Sequence, residues 1–345
     1  MAALGAAEPG PHEPFLTAED SMRQLLLSIA ASMALLTPVA ASAQTAAADG
    51  FPTRPLRMLV PVPAGGPSDF IARQVAQQLA ASLGQVVTVE NKPGANGLVA
   101  AREVLVAPAD GHTLLYAPGS MIATPLMAKG SGVDWSRDLA PLGKVGRVPF
   151  ALAVHPGVQA QTLADLVRQA RRQPGVLNVA TSTPSEVLAA SQFMKAAGIQ
   201  LTRVPYKGGT QALPDLLAGR VQLMFGPLSL LQPQARSGAL RILATLAPER
   251  SAALPDVPTM DESGMGGVDV PTWQAVYTTA MVPPATRARL ATDIAAAVAR
   301  PEMRVEFERR MLAVEGASPQ ALAATIAHEL AVWSALIDEY KLTAD

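Results

Sequence analysis

The sequence predicts an α/β protein built from two doubly wound domains. Three observations carry that prediction: the chain's length, a regular alternation of β-rich and helical runs, and a first strand that is apolar almost throughout. At 345 residues the chain exceeds what one core usually organises. Hydrophobic residues make up 49% of it, enough for two cores. From residue 56 the order is strand 56–62, helix 69–83, strand 86–90, helix 98–106 and strand 113–117. In the first helix Ile71, Val75, Leu79 and Leu83 recur on one face, Ser68 or Asp69 is placed to cap the start, and Gly84 marks the exit. The first strand lacks polar alternation, as expected where helices cover both faces of a parallel sheet.

A second unit of the same kind follows Val154-His155-Pro156-Gly157, and its first helix, 162–173, opens on the capping box Thr162-Leu163-Ala164-Asp165. Strands at 177–181, 201–205, 221–225 and 241–246 alternate with helices at 184–197, 210–217 and 228–237. After the Pro- and Gly-rich stretch 255–267, an apolar run at 275–281 precedes three helices near 284–299, 301–311 and 319–340, with no strand expected between them. Three helices cannot form a sheet domain, so they are expected to pack back on the first unit. Domain 1 is then 51–150 plus 275–345 and domain 2 is 151–274. The chain crosses between them twice, near 142–154 and 268–282, which makes a hinge and puts a ligand in the cleft.

Bulk composition removes several classes of function. Charged residues are 16% of the chain, against roughly 25% in ordinary globular proteins, and the formal net charge is -1. Aromatic residues are 4% and there is no Lys/Arg run, so nucleic acid is not an expected partner. At the N-terminus Met22-Arg23, the apolar run 25–36, Pro38 and Ala41-Ser42-Ala43 read as a secretory signal peptide cleaved after Ala43. That run is shorter than the roughly 18 apolar residues of a membrane span, which favours export to the periplasm. Translation starts at Met1, or at Met22 with 1–21 as an upstream extension. Removing 1–43 takes away Glu8, Glu13, Glu19, Asp20 and Arg23 and leaves a nearly neutral chain. There is no cysteine, hence no disulfide framework, thiolate nucleophile or lipid-bearing Cys. A free monomer is expected.

The loop after the first strand, Pro61-Val62-Pro63-Ala64-Gly65-Gly66-Pro67-Ser68-Asp69, lies where open α/β sheets hold their ligands. The amides of Gly65 and Gly66 can approach a ligand closely, and the helix start adds free N–H groups and partial positive charge. An anion fits there, although strand-to-helix turns of this composition are common without a ligand. The loop lacks the Lys of a phosphate-binding Walker loop and the glycine spacing of a dinucleotide fingerprint.

Several segments together resemble the substrate-binding receptors of tripartite tricarboxylate transporters, the Bug family of periplasmic solute-binding proteins. They are 51–57 (FPTRPLR), the 61–69 loop, 89–97 (VENKPGANG), 108–115 (PADGHTLL), 204–209 (VPYKGG) and 254–259 (LPDVPT), in the family's order. The resemblance implies a type II periplasmic-binding fold and capture of a small carboxylate for the membrane subunits of such a transporter. It also implies a ligand site made of the first loop, the loop after the third strand and the helix ends of domain 2. Here these are Ala64, Gly65, Gly66, Pro67, Ser68 and Asp69; Ser120; and Thr181, Ser182, Thr183 and Ser185, with the hydroxyls as donors to the anion. A sensor presenting its closed form to a membrane histidine kinase is the alternative, and an α/β enzyme acting on a carboxylate is a distant third. The chain departs from the family at 180–187 (ATSTPSEV), which lacks the usual glycines and His, and at Gly226, where relatives commonly carry Asp. Glu186 adds a negative charge that would repel an anion.

The histidines, His12, His112, His155 and His328, have no metal-pair spacing, so no metal and no cofactor are expected. No Gly-x-Ser-x-Gly elbow follows a strand, and no nucleophile, base and orienting group assemble from local motifs. Catalysis is not expected.

Overall fold

The computed structural model describes residues 50–343 except 129, 248, 252 and 253. The expected signal peptide, its cleavage point and the two candidate starts lie outside the described residues. In chain order the first elements are β1 (Leu56–Val60), α1 (Pro67–Leu83), β2 (Val87–Asn91), α2 (Leu98–Val106) and β3 (Thr113–Pro118). After a 3-10 turn at Gly119–Ala123 come α3 (Thr124–Met127), α4 (Trp135–Asp138), β4 (Leu139–Arg147) and β5 (Phe150–Val154). The middle of the chain forms α5 (Leu163–Arg172), β6 (Asn178–Thr181), α6 (Pro184–Ala197), β7 (Thr202–Pro205), α7 (Gly209–Leu217), β8 (Leu223–Pro227), α8 (Leu228–Arg236) and β9 (Arg241–Thr245). It ends with β10 (Trp273–Thr279), α9 (Pro284–Val298), α10 (Pro301–Glu308), β11 (Ala313–Ala317) and α11 (Pro319–Tyr340).

Two sheets result. The first has six strands in the order β11-β4-β10-β3-β1-β2, and the second has five in the order β7-β6-β8-β5-β9. Each contains a parallel trio, β3-β1-β2 and β8-β6-β7, followed by a strand running the other way: β10 beside β3, and β5 beside β8. The sheets are therefore mixed. In β1 Leu56, Met58, Leu59 and Val60 are fully buried, which explains the missing polar alternation. Arg57 reaches the rim instead, bonding Glu90 and Glu103.

The chain passes from the first sheet to the second through Val148 and Pro149, between β4 and β5, and returns through the segment that ends at Thr272, before β10. The two crossings are tied together by the Val148 N–H donating to the Thr272 carbonyl at 3.0 Å. These are the two expected crossings.

Two sequence-based expectations need correction. The C-terminal helices do pack on the first sheet, α9 and α11 against β4, but β11 lies between α10 and α11. It pairs with β4 as a short, bulged edge strand. Its sequence, Ala-Val-Glu-Gly-Ala, has neither length nor alternation to announce it, and its pairing comes from β4's free backbone edge. The second correction concerns α1, whose N-cap is Gly66 with Pro67 in the first helical position, so neither Ser68 nor Asp69 caps it. The capping box of α5 is present as read: Thr162 Oγ1 accepts from the Asp165 N–H, and the Asp165 carboxylate accepts from the Thr162 N–H.

Candidate functional site: a cleft between two sheets

Ligand geometry starts from helix polarity. The first N–H groups of any α-helix have no intrahelical acceptor and carry partial positive charge. In βα units with parallel strands the helices start at the strands' carboxyl ends, so their free ends gather on one side of each sheet. Here the two gatherings face each other. The starts of four α-helices line one cleft: Gly66, Pro67 and Ser68 of α1; Thr183, Ser185 and Glu186 of α6; Gly208, Gly209 and Thr210 of α7; and Pro227 and Leu230 of α8. Pro118 and Ser120 add the end of β3 and the turn after it, while Val148, Phe150, Pro271, Thr272 and Gln274 supply the crossing segments and the starts of β5 and β10. The space is about 600 Å³ including its open mouth.

No Lys, Arg or His lines the cleft among the described residues, and Glu186 is its one titratable side chain. Any anion held there meets neutral donors. The expected hydroxyl donors are in part already engaged. Ser68 Oγ donates to Gln274 Oε1 (3.0 Å), Ser185 Oγ to the Pro271 carbonyl (2.8 Å) and Ser182 Oγ to Glu186 Oε2 (2.6 Å). A hydroxyl has one proton, so these three fix the walls and are not free donors. Thr183 Oγ1, by contrast, is buried without a partner.

Gln274 is the hub of the first-sheet side: its Oε1 accepts from both Ser68 and the buried Tyr116 hydroxyl (3.2 Å). Glu186 is 2% exposed and takes the Ser182 N–H at 2.5 Å on the same Oε2 that accepts the Ser182 hydroxyl. Burial pushes its carboxyl up to about 7, against the opposing pull of the Ser182 and Thr183 donors. The charge that would repel an anion is thereby weakened near neutral pH.

The site expectations separate cleanly. Gly66, Pro67, Ser68, Ser120, Ser182, Thr183 and Ser185 reach the cleft. Ala64 and Gly65 are exposed and stand outside it. Asp69 turns away: its carboxylate accepts from the Gly65 N–H (3.0 Å), Asn91 (2.9 Å) and Arg73 (3.1 Å) and so holds the loop's shape. Burial pushes that carboxyl up, but those donors more than offset it and hold it below the usual carboxylate range. Thr181 is buried at the end of β6 and does not line the cleft. Gly226 lies within β8 beside Met224, also outside the lining. Gln274 was missed, as was Thr210, while Gly208, in the Tyr206-Lys207-Gly208-Gly209 turn, is only a secondary candidate contact from the sequence. For Gly208 and Thr210 the signal was present, since Tyr206-Lys207-Gly208-Gly209-Thr210 places a glycine pair at a strand-to-helix turn.

Residues 71–342 match the model of the tripartite tricarboxylate transporter family receptor. The chain belongs to that family. It is 31% identical over 326 residues to the UPF0065 protein in the tcbD-tcbE intergenic region of Pseudomonas sp. strain P51, covering 94% of this chain and 96% of the relative. Among solved structures, the periplasmic binding protein BugD superposes with a TM-score of 0.80 at 29% identity, covering 85% of this chain and 99% of BugD. An R. palustris protein solved with adipate gives 0.78 at 29% identity, with 85% and 99% covered. The chain is accordingly a solute-binding receptor of the tripartite tricarboxylate transporter family, with the type II periplasmic-binding architecture.

Proposed function

We propose that the chain works in the periplasm, where the lobes 51–150 with 275–345 and 151–274 close on a small carboxylate and present it to the membrane subunits of a tripartite tricarboxylate-type transporter. The observation that carries this reading is the convergence of four α-helix starts, with Ser120, Thr183 and Thr210 in the lining, on a cleft that has no cationic side chain among the described residues. A carboxylate accepts several such donors at once. Each helix start contributes about 0.3 to 1 kcal/mol, rising to about 2 where water is excluded. Micromolar affinity needs about 8 kcal/mol, so the ends and hydroxyls must act together, which a closing cleft allows. The relative solved with adipate supports the ligand class.

Binding without turnover fits the lining. Among the described residues Glu186 has no second titratable group in the cleft to work with, so they form no acid and base pair around a bound acid. The reading is tested by thermal melting of the mature chain against mono-, di- and tricarboxylates from two to eight carbons, with product analysis of any hit. At about 100 times its Kd a true ligand adds about 2.7 kcal/mol of stability and is recovered unchanged. A screen in which no carboxylate shifts the melt, or in which the hit is consumed, would remove the proposal.

A further inference from the structure

We propose that Glu186 makes this receptor selective for carboxylates that also carry a hydrogen-bond donor, an amino, amide or hydroxyl group, which meets the Glu186 carboxyl on the wall of the second sheet. The inference rests on the reading of the cleft as a carboxylate site and specifies what the rest of the ligand must offer.

Three observations lead to it. First, Glu186 is a carboxyl in the wall of an otherwise uncharged cleft, and it is almost completely buried. Among the described residues no charged side chain contributes to its surroundings: burial and the donors of Ser182 and Thr183 account for its state. Burying a carboxyl without a cation is costly, and a glutamate that only caps a helix start has no need of it, since such residues serve equally well at the surface. Second, both Ser182 bonds end on Oε2. Oε1 is directed toward Gly209, 4.0 Å from where a Cβ on that residue would sit, and Gly209 is itself part of the lining. A carboxylate offers about four lone-pair sites, so capacity for a ligand donor remains. Third, Gly208 and Gly209 line the cleft together with Glu186, packed close against Pro63, Met224 and Leu230, so a ligand group that reaches Oε1 enters a tight space.

Where Glu186 is ionised and therefore accepts only, a carboxylate ligand without a donor would bring negative charge toward it and leave Oε1 unanswered. One with an amino, amide or hydroxyl group in reach would satisfy it. Sites built around a buried hydrogen bond discriminate strongly against ligands that lack the partner, because the buried group is then left unpaired.

The test uses mature wild-type chain, Glu186→Leu and Glu186→Gln, with calorimetric titration of matched sets of four- to six-carbon carboxylates. Each set contains the plain acid and its hydroxy, amino and terminal-amide analogues. Wild type is expected to bind at least one substituted member about tenfold or more tighter than the plain acid of the same length, and the responding arm identifies the donor. Glu186→Leu should reduce that ratio to about twofold. Should the Leu variant fail to fold, the near-isosteric Gln variant decides through the amino arm, whose preference should fall about tenfold on loss of the charge. The proposal is overturned if wild type binds the plain acids as tightly as every substituted one, if folded Glu186→Leu keeps the wild-type ratio, or if Glu186→Gln keeps the wild-type amino preference. Absence of any carboxylate binding by wild type would instead refute the receptor's ligand class, a separate result.

Discussion

Gly208 and Pro63 meet across the cleft so closely that a Cβ on Gly208 would lie 2.4 Å from Pro63 Cδ. Pro63 belongs to the loop after β1 in the first sheet and Gly208 to the turn before α7 in the second. The backbone at Gly208 is extended, with φ 176, so any residue fits it conformationally and space alone excludes a side chain. Nearby, a Cβ on Gly66 would come within 3.5 Å of Thr210 Cγ2, ordinary van der Waals contact. Gly208→Val should therefore hold the two halves apart. The expected result is a loss of affinity of about 10- to 100-fold and a larger radius of gyration by X-ray scattering with ligand present, while the melting temperature without ligand changes little. Wild-type affinity in this variant would mean that the two sides need not approach for binding.

Gln274 joins what the ligand meets to what the first sheet buries. Replacing it by Leu strands the hydroxyls of Ser68 and Tyr116, both buried, without their acceptor. Each stranded group costs about 1 to 3 kcal/mol, so Gln274→Leu should lower unfolding stability by about 2 kcal/mol or more in urea titration and weaken binding as well. A stability within 0.5 kcal/mol of wild type, on the scale of a neutral surface change, would show that the two hydroxyls find other partners.

The raised carboxyl of Glu186 gives stability a distinct pH dependence. In the unfolded chain a glutamate titrates at its ordinary value of 4.5, whereas burial in the fold pushes this one up to about 7. The folded state thus holds the proton more tightly, so the contribution is fully present below pH 4.5 and is lost as pH rises through about 7. Its size is on the order of 3 kcal/mol. Between pH 5 and 8 wild type should lose stability relative to Glu186→Gln, whose curve should be flatter across the same window. Parallel curves for the two proteins in chemical denaturation would show that Glu186 does not titrate there.

Asp69 stands behind the first loop, so its role is indirect. Asp69→Ala removes acceptors from the Gly65 N–H, Asn91 and Arg73. Affinity is expected to fall by only a few-fold, through a looser approach of Gly66 and Ser68 to the ligand, with stability lower by about 1 kcal/mol. A loss of binding beyond 100-fold by calorimetry would mean that Asp69 touches the ligand.

Local pattern made the architecture legible because most elements advertise themselves. The four-residue recurrence of Ile71, Val75, Leu79 and Leu83 and the box Thr162 to Asp165 are short-range signals, and the structure realises both. The first loop was legible for the same reason, since a strand, a glycine pair and a helix start are contiguous. Gln274 was not, because its value comes from β10 returning to pair beside β3, which brings it to Ser68 across 206 residues of chain. The spacing Thr183-x-x-Glu186 matches a capping signature, but its burial depends on how α6 meets the rest of the fold. Which hydroxyls remain free is equally illegible locally: Ser182 and Ser185 look like donors in sequence and are already bonded in the structure.

The most direct measurement is a crystal structure of the mature chain with the carboxylate that most stabilises it. The carboxylate is expected between the two sheets, with its oxygens within about 3.2 Å of amide or hydroxyl donors from the starts of α1, α6 or α7, and no Lys or Arg in contact. A ligand carboxylate bound outside the cleft, or paired with a cationic side chain, would contradict that expectation.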